Sequence, residues 1–445
     1  MTTQIFMAST LYGTATLAAA LDAGCFAAAD RRILLVSNNA TTPETTPSVD
    51  QMPGFEKLRA RFDEVVSWNE AIFPFHPGAW APRPDDIPLF ERYLRLAWNL
   101  GDDEVRLAVE SIQVNPALGV AQILTDAPVT VYADGLMSYG PTRNKIDPLV
   151  GTRVERLLHL DLVPGLRPML LTEFGVPPEV VPTGAFTEVL AELVGTGADL
   201  PRIEAPALLL GQYLSALNIL SAEQEEALHV RMLKGAVDLG HTRVVFKPHP
   251  TAPARFTRTL EEEAERLGVD LTVVDTPVLA EVLYQRMRPA LVVGCFSTAL
   301  LTASALYGLP VARVGTDTLL DRLTPFENSN RVPVTIVDAA LPDLADRAAV
   351  TEGRPGMSTG DLADLVRAVG FTMQPKILPE LRPEAETYLS TRLDETTWRY
   401  FKKKRLTSLG LPGGVPAQLG FLPRNATVRR VARKARNLQR RVSGR

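Results

Sequence analysis

Cysteine is almost absent: there are two, Cys25 and Cys295, among 445 residues. Both stand in apolar surroundings and far apart. That excludes a disulfide framework and a thiolate metal site, and it points to a reducing, cytoplasmic setting. Histidine is scarce too. The five are scattered without ligand spacing, so no histidine metal motif is present. No apolar run approaches the roughly 18 residues that would span a membrane. The N-terminus lacks the basic n-region and long apolar stretch of a secretory signal. Acidic residues are missing from one segment: Arg424 to Arg445 holds nine Lys or Arg and no Asp or Glu. Taking those nine positive charges from the total of −4 leaves −13 on residues 1–423. No nucleic-acid-binding signature accompanies the basic segment, so nucleic acid is not expected as a partner.

What is present reads as a loop-rich α/β enzyme. The chain is too long for one ordinary core, which predicts two domains. Apolar strand-like runs alternate with helical segments. Gln4–Met7, Arg32–Val36, Phe62–Val66, Gln122–Leu124 and Val129–Tyr132 are expected as strands of a first half. An Ala-rich helix follows Ala8-Ser9-Thr10-Leu11-Tyr12-Gly13, and Asp102-Asp103-Glu104 reads as a helix start. Pro, Gly and Thr cluster over Gly175–Pro206, which reads as a linker. In the second half Ala207–Leu210, Arg243–Phe246, Leu271–Val274, Ala290–Val293 and Val311–Val314 are expected as strands. Ser221 with Gln224 forms a capping box that opens a helix closed by Gly240. Repeated βαβ units with short links imply parallel sheets with right-handed crossovers.

Three segments follow apolar runs, at the places where an open α/β sheet presents its chemistry. Tyr132-Ala133-Asp134-Gly135 offers a carboxylate. Asp-Gly after a strand also suits a plain turn, because Gly takes φ > 0. Lys247-Pro248-His249-Pro250 aims an imidazole between two prolines that restrict the backbone. Lys247 could add positive charge there. Gly294-Cys295-Phe296-Ser297-Thr298 starts a helix. Ser297 or Thr298 can cap it, and the same geometry binds a phosphate. A base, an acid and an anion cradle together suit group transfer from a phosphate-bearing donor.

In this order the three segments resemble the acidic-acidic-Gly, His-Pro and Ser/Thr motifs of bacterial sialyltransferases. The resemblance is to the bacterial α-2,8-polysialyltransferase family, over roughly residues 4–340. One departure stands out: the first acidic position reads Ala133, and only Asp134 remains. The resemblance implies a GT-B fold, two Rossmann-like domains facing a central cleft, followed by C-terminal helices and a basic tail. The expected divisions are 1–190 (acceptor side), 191–375 (nucleotide-sugar donor side), 376–423 (helices) and 424–445 (tail). It implies an inverting, metal-independent transfer of sialic acid or a related nonulosonate, from a CMP-linked donor to a glycan acceptor of a capsule or cell surface. No cofactor beyond the CMP-sugar substrate is implied, and no metal. Asp134 would be the base and His249 the acid or phosphate partner. Ser297, Thr298, Lys247, Pro250, Gly294 and Gln212 would hold the donor. Ser9, Thr10, Gly135, Tyr139 and Arg143 would lie on the acceptor side. Two other classes stay open: a CDP-glycerol transferase of the teichoic-acid type, which shares the Lys-Pro-His-Pro segment, and an inactive glycan- or nucleotide-binding relative.

The tail has a logic of its own. Val428, Val431, Ala435, Leu438 and Val442 make a narrow apolar stripe on an Arg-rich segment. Such a helix would rest on an anionic surface, here the inner face of the cell membrane. Lys402-Lys403-Lys404-Arg405, after Trp398, Tyr400 and Phe401, is expected to add to that attachment.

Overall fold

Seven short, largely apolar segments make the first sheet: β1 (Thr2–Ala8), β2 (Arg31–Val36), β3 (Glu64–Ser67), β4 (Glu104–Glu110), β5 (Val129–Ala133), β6 (Val154–His159) and β7 (Pro178–Val180). The computed structural model describes residues 1–196, 200–249 and 252–415. All pairings are parallel, in the order β3-β2-β1-β4-β5-β6-β7. The second sheet holds β8 (Ala207–Leu210), β9 (Arg243–Lys247), β10 (Asp270–Val273), β11 (Leu291–Gly294) and β12 (Val311–Arg313). Its order, β10-β9-β8-β11-β12, is the same winding. In each sheet the chain runs outward from its first strand and then crosses to that strand's other side, as in a Rossmann fold.

Strands buried on both faces read as continuous apolar runs rather than as alternation. In β1, Phe6 and Ala8 join one core layer, and Ile5 and Met7 the other. The Ala-rich helix Leu11–Asp22 lies almost wholly buried on the first layer. Small side chains let it seat close to the sheet. Ser221 and Gln224 form the capping box at the start of helix Ala222–Asp238, and Gly240 follows its end at φ +93°.

Several segments differ from expectation. Asp102-Asp103-Glu104 does not open a helix; Glu104 begins β4. Its acidic cluster imitates a helix start, but Asp103 instead accepts from the Thr3 hydroxyl at 2.6 Å. Gln122–Leu124 is no strand; Gln122 and Ile123 end the helix Ala117–Ile123, because the apolar run there is too short to show its period. The span read as a linker contains β7 and the helix Thr183–Leu193. Phe186 of that helix meets Tyr12 edge-on at 5.3 Å, so burial overrides the Pro- and Gly-rich local signal. Trp398-Arg399-Tyr400-Phe401 belongs to the fold, as do Lys402 and Arg405, while Lys403 and Lys404 are exposed. Tyr400 and Phe401 are buried, Lys402 pairs with Asp321 at 2.9 Å, and Arg405 with Glu327 at 2.8 Å. Residues 424–445 lie outside the described residues. Among the described residues no helix is long and apolar enough to cross a membrane.

Two late helices tie the halves together. An added Cβ at Gly140 would sit 3.6 Å from Val332, on helix Arg331–Ala340. The Met169 methyl lies where a Cβ on Gly370, in helix Thr359–Met373, would fall. Gln374 donates from its side chain to the Arg143 carbonyl at 2.8 Å. The cleft between the sheets therefore has a fixed back wall.

Candidate active site

At the carboxyl edge of the first sheet, the strand order reverses between β1 and β4, which opens a crevice. Three neighbouring strands end there. After β1 come Ser9 and Thr10. Thr10 caps the Leu11 helix, accepting from the Gly13 N–H at 2.9 Å. β4 ends at Glu110, whose carboxylate accepts the Ser9 hydroxyl at 2.6 Å. After β5 comes Asp134, hydrogen-bonded to the Thr10 side chain. The Asp134 carboxylate lies over the start of the Leu11 helix. A Cβ on Gly13 would stand 3.3 Å from its Oδ2 and 3.1 Å from the Tyr132 hydroxyl.

A helix N-terminus and a hydroxyl donor both favour the ionised carboxylate. Burial opposes them, followed by the like charge of Glu110, and these win: the Asp134 carboxyl is lifted to about 7. Burial also raises the Glu110 carboxyl, against the Ser9 hydrogen bond. A carboxyl that titrates near neutrality is suited to general-base work.

Gly135 does not take the left-handed conformation that an Asp-Gly turn would use. Its φ is −143° and ψ −178°, extended backbone open to any residue. Its lack of a side chain serves contact instead: a Cβ there would stand 3.2 Å from the Thr298 hydroxyl of the other half.

The second sheet reverses between β8 and β11, and its carboxyl edge faces the same cleft. Gln212, after β8, accepts from the Phe296 N–H at 3.0 Å and so holds the loop after β11. Buried Glu225 accepts from the N–H groups of Leu214 and Ser215, at 2.6 and 2.8 Å, which pins the loop carrying Gln212. Ser297 is the N-cap of helix Thr298–Tyr307 and accepts from the Ala299 N–H at 3.2 Å. Gly294 ends β11, where a Cβ would press on Leu300 at 3.2 Å. Lys247 ends β9. Burial pulls its ammonium down to about 8, with Glu281 opposing. His249 follows, exposed, its ring 6.4 Å from that of Tyr213, and it is not among the residues that line the cavity described below. Partial desolvation, followed by the charge of Lys247, lowers its pKa, with Glu225 opposing. The resting imidazole is therefore neutral at pH 7, a hydrogen-bond donor that a phosphate dianion would recharge. Pro250 lies outside the described residues.

A cavity of about 370 Å³ lies between the halves. Glu110, Asp134, Gly135 and Arg143 line it from one side, and Phe296 and Thr298 from the other. Arg143 reaches the Ser329 hydroxyl at 3.3 Å. Tyr139 is not brought to this cavity. It is fully buried, its hydroxyl donating to the Leu160 carbonyl at 3.3 Å, so it is a core residue and not an acceptor contact. Ser9, too, acts through Glu110 rather than from the cavity wall. Glu110, Gln113, Ser329 and Gln374 line the cavity without a motif to announce them. Only Glu110 had a readable signal, as the polar end of the strand-like run Glu104–Glu110. Among the described residues no group of three or more His, Cys, Asp or Glu comes together as a metal site.

Two Rossmann-like sheets with a carboxylate on one lip and a helix N-terminus on the other define a GT-B glycosyltransferase. The chain belongs to the alpha-2,8-polysialyltransferase (POLYST) family, which it matches over residues 4–316. No curated protein matches it. Among solved structures it is similar to the GT-B domain of a sialyltransferase from Photobacterium damselae, at 12% identity and TM-score 0.39, covering 75% of this chain and 95% of that one. MurG of Acinetobacter baumannii aligns at 12% identity and TM-score 0.40, over 87% of this chain and 95% of that one. UGT2 of Phytolacca americana aligns at 13% identity and TM-score 0.37, over 92% and 99%. These likenesses are slight, and the architecture follows from the two strand orders themselves.

Proposed function

We propose that this glycosyltransferase moves sialic acid, or a related nonulosonate, from a CMP-linked donor to a glycan hydroxyl, with inversion and without a metal. The observation that carries the reading is the shared cavity. Asp134 from the first half and Thr298 from the second line the same 370 Å³. A sugar bound there would have a base on one side and an anion cradle on the other.

Asp134 takes the proton from the acceptor hydroxyl as that oxygen bonds to the anomeric carbon. The bond from that carbon to the donor's phosphate oxygen breaks on the opposite face, and CMP leaves with the electron pair. The backbone N–H groups of Ser297 and Thr298, at the start of helix Thr298–Tyr307, and the hydroxyls of the same residues suit the phosphate. Lys247 brings a cation. His249 donates a hydrogen bond from its ring N–H to the leaving phosphate as charge builds there.

Thermal shift with a panel of nucleotides tests the donor: CMP should stabilise more than CDP, UDP or GDP. A preference for CDP would favour a teichoic-acid type of substrate, and no shift with any nucleotide would overturn the assignment. Replacing His249 by Ala, or Ser297 and Thr298 together by Ala, should weaken CMP binding in calorimetry. Asp134→Asn should cut kcat/KM by about 10²–10⁴ while leaving CMP affinity near wild type.

A further inference from the structure

We propose that Glu110 is a positioning residue for the base, sharing one proton with Asp134 across the β4–β5 edge and so setting the pH at which Asp134 becomes competent. The inference rests on the reading of Asp134 as base for its role in transfer, but not for the proton sharing itself.

Three geometric facts support it. Glu110 is paired in register with Tyr132, so the two side chains leave the same face of the sheet. The Tyr132 hydroxyl and Asp134 Oδ2 both crowd the space beside Gly13, which puts Asp134 on that face too. Ala133 packs in the opposite layer, with Ile5 and Met7. Ala133 touches the cavity but starts from the opposite layer, whereas Glu110 reaches the layer of Asp134 from the neighbouring strand. Both carboxylates line the one cavity, and the Ser9 hydroxyl holds Glu110 in place at 2.6 Å.

The surroundings leave the pair little else to balance its charge. Tyr132 donates its hydroxyl to the Met7 carbonyl at 2.9 Å. Tyr12, from the Leu11 helix, keeps a buried hydroxyl without a hydrogen-bond partner and feels the charges of both Asp134 and Glu281. Among the described residues Arg143 is the one cation that lines the cavity, and Glu327, also in that wall, is paired with Arg405. Two carboxylates in one partly desolvated pocket do not both ionise at the ordinary pH. Their first proton leaves readily; the second stays until near neutrality. Burial raises both groups, and the charge of Glu110 raises Asp134 further, in line with this.

The test reads Asp134 directly and needs no substrate. In full-length protein carrying ¹³C-carboxyl aspartate, the resonance lost in Asp134→Asn is followed from pH 4 to 9. In wild type its midpoint should lie near 7. In Glu110→Gln it should fall by about one unit or more, because the neighbouring charge is gone. Glu110→Asp should keep the midpoint high. Ser9→Ala should lower it, because Glu110 then keeps the shared proton more tightly; this variant carries the test if Glu110→Gln does not fold. An unchanged Asp134 midpoint in Glu110→Gln or Ser9→Ala overturns the proposal and leaves burial as the sole cause. A second arm measures release of CMP from CMP-sialic acid across the same pH range, where the acid limb should move down with the Asp134 midpoint. A shifted midpoint with no CMP release in any variant would sink the donor assignment and leave the proton-sharing pair standing.

Discussion

His229 should make the second half sensitive to acid. It lies on helix Ala222–Asp238, 2% exposed, between the rings of Phe246 at 5.2 Å and Phe256 at 5.8 Å. Neither ring nitrogen has a hydrogen-bond partner. Burial alone pulls its pKa down from 6.5 to about 4. The sign follows from proton counting. Above pH 6.5 the imidazole is neutral in both folded and unfolded chains and contributes no pH dependence. Between 6.5 and 4 the unfolded chain binds a proton that the folded one refuses, so stability falls as pH falls. At about 1.36 kcal/mol per unit, the loss is about 2 kcal/mol at pH 5 and about 3 kcal/mol at pH 4. A two-domain chain need not unfold in one step, so hydrogen exchange at the β9 amides of Val244, Val245 and Phe246 is the suitable assay. After correction for intrinsic rates, the opening constant at pH 5 should exceed that at pH 7.5 by about 30-fold in wild type, the equivalent of 2 kcal/mol. His229→Leu should lose most of that rise, while its exchange at pH 7.5 reports only the packing cost of the new side chain. An equal rise in the variant would show that some other group carries the acid sensitivity. Because Phe246 precedes Lys247 and His249, CMP affinity should fall in the same window. That loss must be measured apart from the titration of Asp134, which lies higher.

Three further expectations follow from contacts at the cleft. Gly135→Ala would place a methyl 3.2 Å from the Thr298 hydroxyl, so the lips must separate by a few tenths of an ångström; turnover should fall several-fold with CMP affinity retained, and equal kcat would show that the lips do not close on each other. Gln212→Ala frees the Phe296 N–H and loosens the phosphate loop, so calorimetry should show weaker CMP binding, by about tenfold for a lost hydrogen bond of about 1.5 kcal/mol. Removing residues 424–445 should abolish co-sedimentation with anionic liposomes and leave nucleotide binding intact, and sedimentation of the full chain should weaken as salt screens the nine cations. Persistent sedimentation of the shortened chain would place the attachment elsewhere.

Local signals were enough for the alternation of strands and helices wherever an apolar run met a clear stop. β1, β8, β9 and β11 are such runs, and the Ser221 capping box and Gly240 are covalently near the helix ends they serve. The three chemical segments were legible for the same reason, since each directly follows its strand. Where local chemistry is ambiguous the reading failed. Asp102-Asp103-Glu104 looks like an acidic helix start but precedes a central strand, because pairing with β1 outweighs propensity. The helix Thr183–Leu193 was hidden in Pro- and Gly-rich sequence because its stability comes from burying Phe186, Val189 and Leu190. Tyr139 seemed a polar neighbour of the motif, but its ring fills the core.

The fold class and the order of the three segments are legible without coordinates, because both are written in runs of adjacent residues. So is the charge of the tail. Which side chains share a cavity depends on how the strands and the two halves pack. Glu110 stands beside Asp134 because β4 and β5 are neighbours, although 24 residues separate them along the chain. Gly135 meets Thr298 because two sheets face each other, and Arg143 and Gln374 meet because a late helix packs back on the first half. The reason is physical: periodicity and capping act over a few residues, whereas the field at a carboxylate depends on every charge and every buried surface within a few ångströms, wherever in the chain these arise.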